Sequence, residues 1–171
     1  MGQSTITRPS RPGLRPDPTR EDRMDITDFE LAVEATQNRD PVLFALPGEG
    51  PMSQQEIESA EVALGVALPD KFKWFLGQFG AGHFALVIIY SVVSSETQSV
   101  AAARELPWID PTCFFPIADN GAGDYWGFVL DHGGRASAEV HVLDHEVGSV
   151  RKVPSYDDFL DFAAAIGLAY A

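Results

Sequence analysis

The apolar residues of this chain change their spacing once, and that change limits the folds available to it. Before residue 80 they recur at helical spacing, and from residue 84 they occur in short β-branched and aromatic runs. The strongest helical stripe has members at i, i+3, i+4 and i+7: Phe72, Phe75, Leu76 and Phe79. Helices followed by closely spaced strands predict an α+β domain with a mainly antiparallel sheet.

Three N-terminal helices and one C-terminal helix are predicted from their end signals. Their expected starts are Asp25, Ser53, Pro69 and Ser155. The second start is the clearest, because Ser53 and Glu56 have the spacing of a capping box, in which each satisfies a backbone donor of the other. Gly65 is expected to end that helix. A short additional helix is predicted over residues 95–104.

The predicted sheet has about four to six strands, flanked by the N-terminal helices and the C-terminal helix. Its segments are residues 84–90, 114–118, 125–131, 139–144 and a short fifth candidate at 150–153. Residues 84–90 form an uninterrupted β-branched and aromatic run, so we expect a single buried strand there.

Charge divides the chain into two parts. Residues 1–23 contain four prolines and five arginines, which predicts a disordered basic arm ahead of a single domain over residues 24–171. That domain has 7 basic and 22 acidic residues, a formal charge of −15. Such a surface repels nucleic-acid phosphate and anionic lipid and attracts basic proteins. Charge alone also fits a surface that simply keeps the protein in solution.

The single cysteine and the absence of long apolar runs limit the cellular compartments in which this protein could work. Cys113 excludes an internal disulfide and a four-cysteine zinc site. Because it lies in an apolar run, we expect a buried and unreactive thiol. No apolar run could span a bilayer, and the N-terminus lacks the apolar core of a secretory signal. These features favour a cytoplasmic protein.

Residues 119–124 form a loop rich in Asp, Asn and Gly. Its glycine spacing differs from the nucleotide-binding fingerprint, and a strand rather than a helix follows it. A calcium-binding loop would need an acid at the twelfth position, where Leu130 stands. The composition favours a tight turn in which Asp119 and Asn120 bond local amides. The same turn could present Asp119, Asp124 and Tyr125 to a partner.

The histidines form no recognisable metal site. His141 and His145, if both lay on a strand, would be about 13 Å apart, which excludes a shared zinc ion. Asp144, His145 and Glu146 could perform acid–base chemistry, but a hairpin turn explains them more simply. No nucleophile or cofactor motif accompanies them, so we predict no catalytic residue, metal or cofactor. A small hydrolase that uses Asp124, Asp144, His145 or Glu146 is the least favoured alternative.

Over roughly residues 43–168 the order of these motifs resembles the SUKH superfamily, which groups the fungal SMI/KNR cell-wall-assembly regulators with many bacterial immunity proteins. The similarity is carried by Ser53-x-x-Glu56 and Gly65-x-x-Leu68-Pro69, then Phe75-Leu76 and Phe79-Gly80, residues 115–124, residues 142–146, and Tyr156-x-x-Phe159-Leu160. This resemblance implies an α+β fold and a role without catalysis.

Many bacterial members of that superfamily bind and neutralise a toxin delivered between competing cells, although the fold does not identify the toxin. Delivered toxins that act on nucleic acid are basic, which suits a strongly acidic antidote. We therefore expect an immunity protein for a basic, nuclease-type toxin. An intracellular regulatory scaffold is the alternative. The expected partner-facing residues are Asp119, Asp124, Tyr125, Asp144 and Glu146.

Overall fold

The computed structural model describes residues 24–94, 98–151 and 154–169. The elements follow in chain order: α1 (Ile26–Arg39), a 3₁₀ turn (Pro41–Phe44), α2 (Gln54–Leu64), α3 (Asp70–Gln78), β1 (Gly82–Phe84), β2 (Val87–Ile89), α4 (Val100–Arg104), β3 (Phe114–Asp119), β4 (Tyr125–Val129), β5 (His141–Asp144), β6 (Ser149–Val150), α5 (Phe159–Phe162) and its π-helical continuation (Ala163–Gly167). The predicted basic arm at residues 1–23 lies outside the described residues, and the division at residue 24 stays a prediction.

The strands confirm the predicted antiparallel α+β architecture. Strands β3, β4, β5 and β6 form a four-stranded antiparallel meander, and β1 pairs with β2 in a separate hairpin. The hairpin is joined to the sheet where the Tyr90 N–H donates to the Ile117 carbonyl at 2.8 Å. No helix within the described ranges combines the length and the apolar character needed to cross a membrane.

The prediction of one strand over residues 84–90 is wrong, because the chain reverses at Ala85 and Leu86. Ala85 has a φ of +48°, and Phe84 lies opposite Val87 across the turn. A contact distant in sequence fixes this reversal: the Leu86 N–H donates to the Gly167 carbonyl at 3.0 Å. The turn therefore depends on the last helix, and the local sequence contains no conventional turn signal for it.

The helix ends that depend on local hydrogen bonds are confirmed. Asp25 caps α1 by accepting from the Asp28 N–H, and both bonds of the capping box between Ser53 and Glu56 are present. Gly65 ends α2 with a φ of +66°. Helix α3 begins one residue later than expected, at Asp70.

The predicted start of the last helix at Ser155 is wrong. The helix begins at Phe159, and Asp158 caps it by accepting from the Leu160 and Asp161 N–H groups. Tyr156 is instead bridged to Val140 beside the sheet, which keeps the chain extended there.

Two short predicted elements are shorter than expected. Helix α4 begins at Val100 after a Ser99 cap, so the helix predicted over residues 95–104 is confirmed only in its second half. The fifth strand candidate at 150–153 corresponds to Ser149–Val150. Residues 95–97 and 152–153 lie outside the described residues.

An aromatic cluster joins the helices to the hairpin. The ring of Phe75 is fully buried, and its centroid lies 4.8 Å from those of both Phe84 and Phe159. Phe29 on α1 and Phe79 at the end of α3 pack around the same ring, at centroid distances of 6.2 and 5.1 Å. This cluster fixes α1, α3, β1 and α5 relative to one another.

A polar clamp fixes the first described residue. The Met24 N–H donates to Asp161 at 3.0 Å, and the Lys71 ammonium donates both to the Met24 carbonyl and to the buried Asp158. Lys71 and Asp158 also line a cleft with Arg135 of the β4–β5 connection. In an antiparallel meander this connection lies at the opposite end of the sheet from the β3–β4 and β5–β6 turns.

Replacing Phe75 tests the importance of the aromatic cluster. We expect Phe75→Ala to lower the free energy of unfolding by about 3–5 kcal/mol, because it leaves a cavity among four other rings. Urea unfolding followed by circular dichroism measures the change. Val62→Ala is the control, since Val62 on α2 is 83% exposed and should change stability by less than about 0.5 kcal/mol. A loss for Phe75→Ala no larger than the control's would contradict this assignment of the core.

Candidate functional site

The β3–β4 and β5–β6 turns lie at one end of the sheet. In the strand order β3-β4-β5-β6, successive hairpins alternate between the two ends, so the first and third turns come together. Residues 119–125 form the first turn and residues 144–149 the second. We call this pair of turns the acidic end. It contains all five residues that the sequence predicts to face a partner.

The first turn is held by its own polar side chains, as predicted. Asp119 Oδ1 accepts from the Gly121 N–H at 2.7 Å. Asn120 Oδ1 accepts from the Ala122 N–H at 2.8 Å and from the Asp124 N–H at 3.1 Å. Because these bonds are internal to the turn, its conformation does not depend on a bound partner.

Asp119 and Tyr125 share a contact with a third residue that the sequence analysis missed. The Tyr90 hydroxyl donates to Asp119 Oδ2 at 2.5 Å, and its ring centroid lies 6.3 Å from that of Tyr125. Burial, followed by the hydrogen bond to Asp119, raises the pKa of Tyr90 well above its ordinary value. Tyr90 is therefore a neutral donor that orients the Asp119 carboxylate. The local sequence marked Tyr90 only as part of a buried strand.

A side-chain bond joins the two turns. Asp124 Oδ1 lies 2.9 Å from His145 Nδ1 and also accepts from the His145 N–H at 3.1 Å. The imidazole packs against Gly123, where a Cβ would lie 3.0 Å from the ring. Asp124, which is one of the predicted site residues, thus connects the two turns. For His145, the sequence suggested only a possible acid–base role.

The second turn is a hairpin, as its sequence suggested. Asp144 Oδ1 accepts from the Glu146 N–H at 3.1 Å, and the Asp144 carbonyl accepts from the Gly148 N–H at 2.8 Å. Asp144 also forms an ion pair with Arg151, with 3.6 Å between Oδ2 and Nη2. Asp144 is consequently half-buried and well bonded, whereas Glu146 is exposed.

The pair between the turns shifts the pKa of both partners. The hydrogen bond from His145 lowers the pKa of Asp124, and the hydrogen bond to Asp124 raises the pKa of His145. Glu146 and Asp144 add smaller contributions that also raise the pKa of His145. The imidazolium form therefore persists to higher pH than in an isolated histidine.

Asp124, Asp144 and His145 also place possible metal-ligand atoms within 4.8 Å of one another. In the described arrangement these atoms already have partners: His145 Nδ1 bonds Asp124, and Asp144 bonds backbone amides and Arg151. The group is thus a hydrogen-bonded link between turns, and we assign no metal to it.

The expectation of a buried Cys113 is wrong. The residue is exposed, in a turn that precedes β3, and its thiol lies 3.7 Å from the Asp110 carbonyl. The apolar run begins to be buried only at Phe114, which is the first residue of the strand. Partial desolvation and the Asp110 carboxylate raise the pKa of Cys113, which disfavours the reactive thiolate.

A known family matches most of this chain. The family model SUKH_6, described as SMI1-KNR4 cell-wall, matches residues 54–162, which is more than half of the 171-residue chain. The matched region contains both turns of the acidic end. No curated protein matches the chain.

Substitution of Gly123 tests the packing between the turns. We expect Gly123→Ala to lower the free energy of unfolding by about 1–3 kcal/mol, because its φ is +104° and the added methyl group would meet the His145 ring. Gly121→Ala is the matched control: its φ is +71° but its Cβ would meet nothing within 4 Å. Urea unfolding measures both variants. Equal losses would mean that the imidazole contact contributes nothing beyond backbone strain.

Titration of His145 tests the bond between the turns. We expect its pKa to lie above the ordinary value of 6.5 and to fall in Asp124→Asn, as followed by NMR of the imidazole ring. Asp131→Asn, which removes a carboxylate at the other end of the sheet, should leave the pKa of His145 unchanged.

The same pair sets a pH window for stability. The raised pKa of His145 stabilises the fold below about 6.5, and this contribution is lost as pH rises through the folded-state pKa. The lowered pKa of Asp124 stabilises the fold above about 3.8, and this contribution is lost as pH falls through its folded-state pKa. A stability difference between wild type and Asp124→Asn that does not depend on pH would rule out the pair.

Proposed function

Because this chain belongs to the SUKH_6 family, described as SMI1-KNR4 cell-wall, we propose that it is a non-catalytic immunity protein that binds and neutralises a basic, nuclease-type toxin. SUKH domains commonly serve as immunity proteins. A cytoplasmic location, where a delivered nuclease would act, is part of the same proposal, as is the absence of direct binding to nucleic acid or membrane.

The observation that carries the proposal is the fixed geometry of the acidic end. Its carboxylates belong to Asp119, Asp124, Asp144 and Glu146; Asp124 pairs with His145, and Asp144 pairs with Arg151 after β6. Three of these four carboxylates accept hydrogen bonds from the turns themselves. A preorganised surface loses little conformational entropy when a partner binds, so its charges contribute more of their attraction to affinity.

Electrostatics supports a basic partner. The chain beyond residue 23 has a formal charge of −15, which speeds encounters with a cationic protein at low salt and slows those with nucleic acid. A nuclease needs a cationic substrate groove, and an acidic protein that covers this groove excludes the substrate. We propose that Asp119, Asp124, Tyr125, Asp144 and Glu146 face the toxin, with Glu146 as the most exposed carboxylate.

Coexpression tests the proposed function directly. The product of the gene that adjoins the one for this chain would be expressed in a bacterial host with and without this chain. We expect growth arrest without the chain and normal growth with it, together with a stable complex on size-exclusion chromatography. A toxic neighbour that is neither bound nor relieved would overturn the proposal. A non-toxic neighbour that binds the chain would favour the alternative of a regulatory scaffold.

Charge reversal tests where the toxin binds. We expect Glu146→Lys to slow association with the toxin by roughly threefold to tenfold at low salt, with a smaller effect at high salt. Glu34→Lys changes the net charge equally but places it on the exposed face of α1, so it should stay close to wild type. Stopped-flow mixing across a salt series measures both rates. Equal slowing by the two variants would show that only net charge matters and would contradict a binding site at the acidic end.

A further inference from the structure

A groove with a mixed polar and apolar lining opens beside the first turn of the acidic end. It has a volume of about 330 Å³ and lies between the β1–β2 hairpin, the end of β3 and the last helix. Its apolar lining comes from Leu86 and Ile88 of the hairpin, Trp126 of β4 and Ile166 after α5. We call it the hairpin groove.

The groove follows from the way in which the hairpin is attached. The hairpin tip is fixed to the last helix by the bond from the Leu86 N–H to the Gly167 carbonyl, and β2 meets β3 where Tyr90 bonds Ile117. Between these two attachments the apolar side chains are only partly covered, and Leu86 is 57% exposed. An open apolar surface beside fixed polar groups is typical of a protein-binding site.

Asp119 supplies the one charged side chain among the described residues that line the groove. Its two carboxylate oxygens accept one bond each, from the Tyr90 hydroxyl and the Gly121 N–H, which fixes the carboxylate plane and leaves other lone pairs for a further donor. None of the described residues that line the groove is a cation. A phosphate-bearing ligand would be repelled by Asp119, whereas a cationic group would be attracted.

We infer that the hairpin groove receives a segment of the partner protein in which an arginine or lysine stands next to an apolar residue. The cation would bond Asp119, and the apolar neighbour would cover Leu86, Trp126 and Ile166. Arginine suits the site better than lysine, because its planar guanidinium can bond a carboxylate and stack on an indole at the same time. This inference rests on the proposed function, since it names the kind of surface that the toxin presents.

A peptide titration of the full-length chain tests the groove without the toxin. The probe is the capped tetrapeptide Gly-Arg-Leu-Gly, and the comparison peptides replace its arginine by glutamate or its leucine by serine. We expect saturable NMR shifts of the Trp126 indole and the Leu86 amide with the arginine–leucine peptide, at a Kd on the order of 1 mM. Both comparison peptides should bind at least about fivefold more weakly.

A matched pair of leucines provides the variant test. Leu86→Ser should weaken binding of the arginine–leucine peptide by roughly threefold to tenfold, because it removes an exposed apolar contact at the groove. Leu46→Ser is the control, since Leu46 is 58% exposed but lies outside the groove. Far-ultraviolet circular dichroism checks that both variants fold, and the Trp126 shift in wild type tests the groove independently of either variant.

Three outcomes would overturn the groove as a binding site: equal binding of the arginine–leucine and arginine–serine peptides, shifts spread evenly over the acidic end, or no saturable shift at about 20 mM peptide.

Failure of the proposed function gives results that differ from failure of the groove inference. If Leu86→Ser binds the toxin with the same Kd as wild type, the immunity function stands and the groove inference is wrong. If the neighbouring toxin is not neutralised but the peptide binds at Trp126, the groove stands and the toxin assignment fails.

Discussion

The packing of Phe75 against Phe84 and Phe159 is the contact on which the rest of the structure depends. It joins the third helix and the first hairpin, which follow each other closely in the chain, to the last helix, where Phe159 lies 84 positions after Phe75. With these elements fixed, the Gly167 carbonyl can hold the hairpin tip, and β2 can reach β3 through Tyr90. The hairpin groove and the orientation of Asp119 therefore follow from aromatic packing in the core.

The acidic end combines a high negative charge with little conformational freedom of its side chains. Exposed carboxylates are usually mobile, and ordering them on binding costs conformational entropy. Here Asp119, Asp124 and Asp144 are already oriented by amides of their own turns or by the His145 ring. Such a surface can distinguish among basic partners by the positions of their cations, which long-range attraction alone cannot do.

The sequence predicted features whose causes are local. The cap at Asp25, the capping box at Ser53 and the amide bonds of Asp119 each involve residues within a few positions of one another. Features set by distant contacts were missed or wrong. The reversal at Leu86 depends on Gly167, and the bond between Asp124 and His145 spans 21 residues, so neither has a local signal. The five predicted site residues do lie at one end of the sheet, although their contact with a partner stays a proposal.

The clamp around Met24 has a practical consequence for labelling the protein. Both backbone groups of Met24 are bonded to side chains of the α3–α5 corner, beside the cleft that contains Arg135. That corner borders the β4–β5 connection, across the length of the sheet from the turns of Asp119 and Asp144. A fluorophore or affinity tag placed directly before Met24 would therefore join the domain on the side away from the acidic surface, which keeps the label clear of the turns in a binding assay.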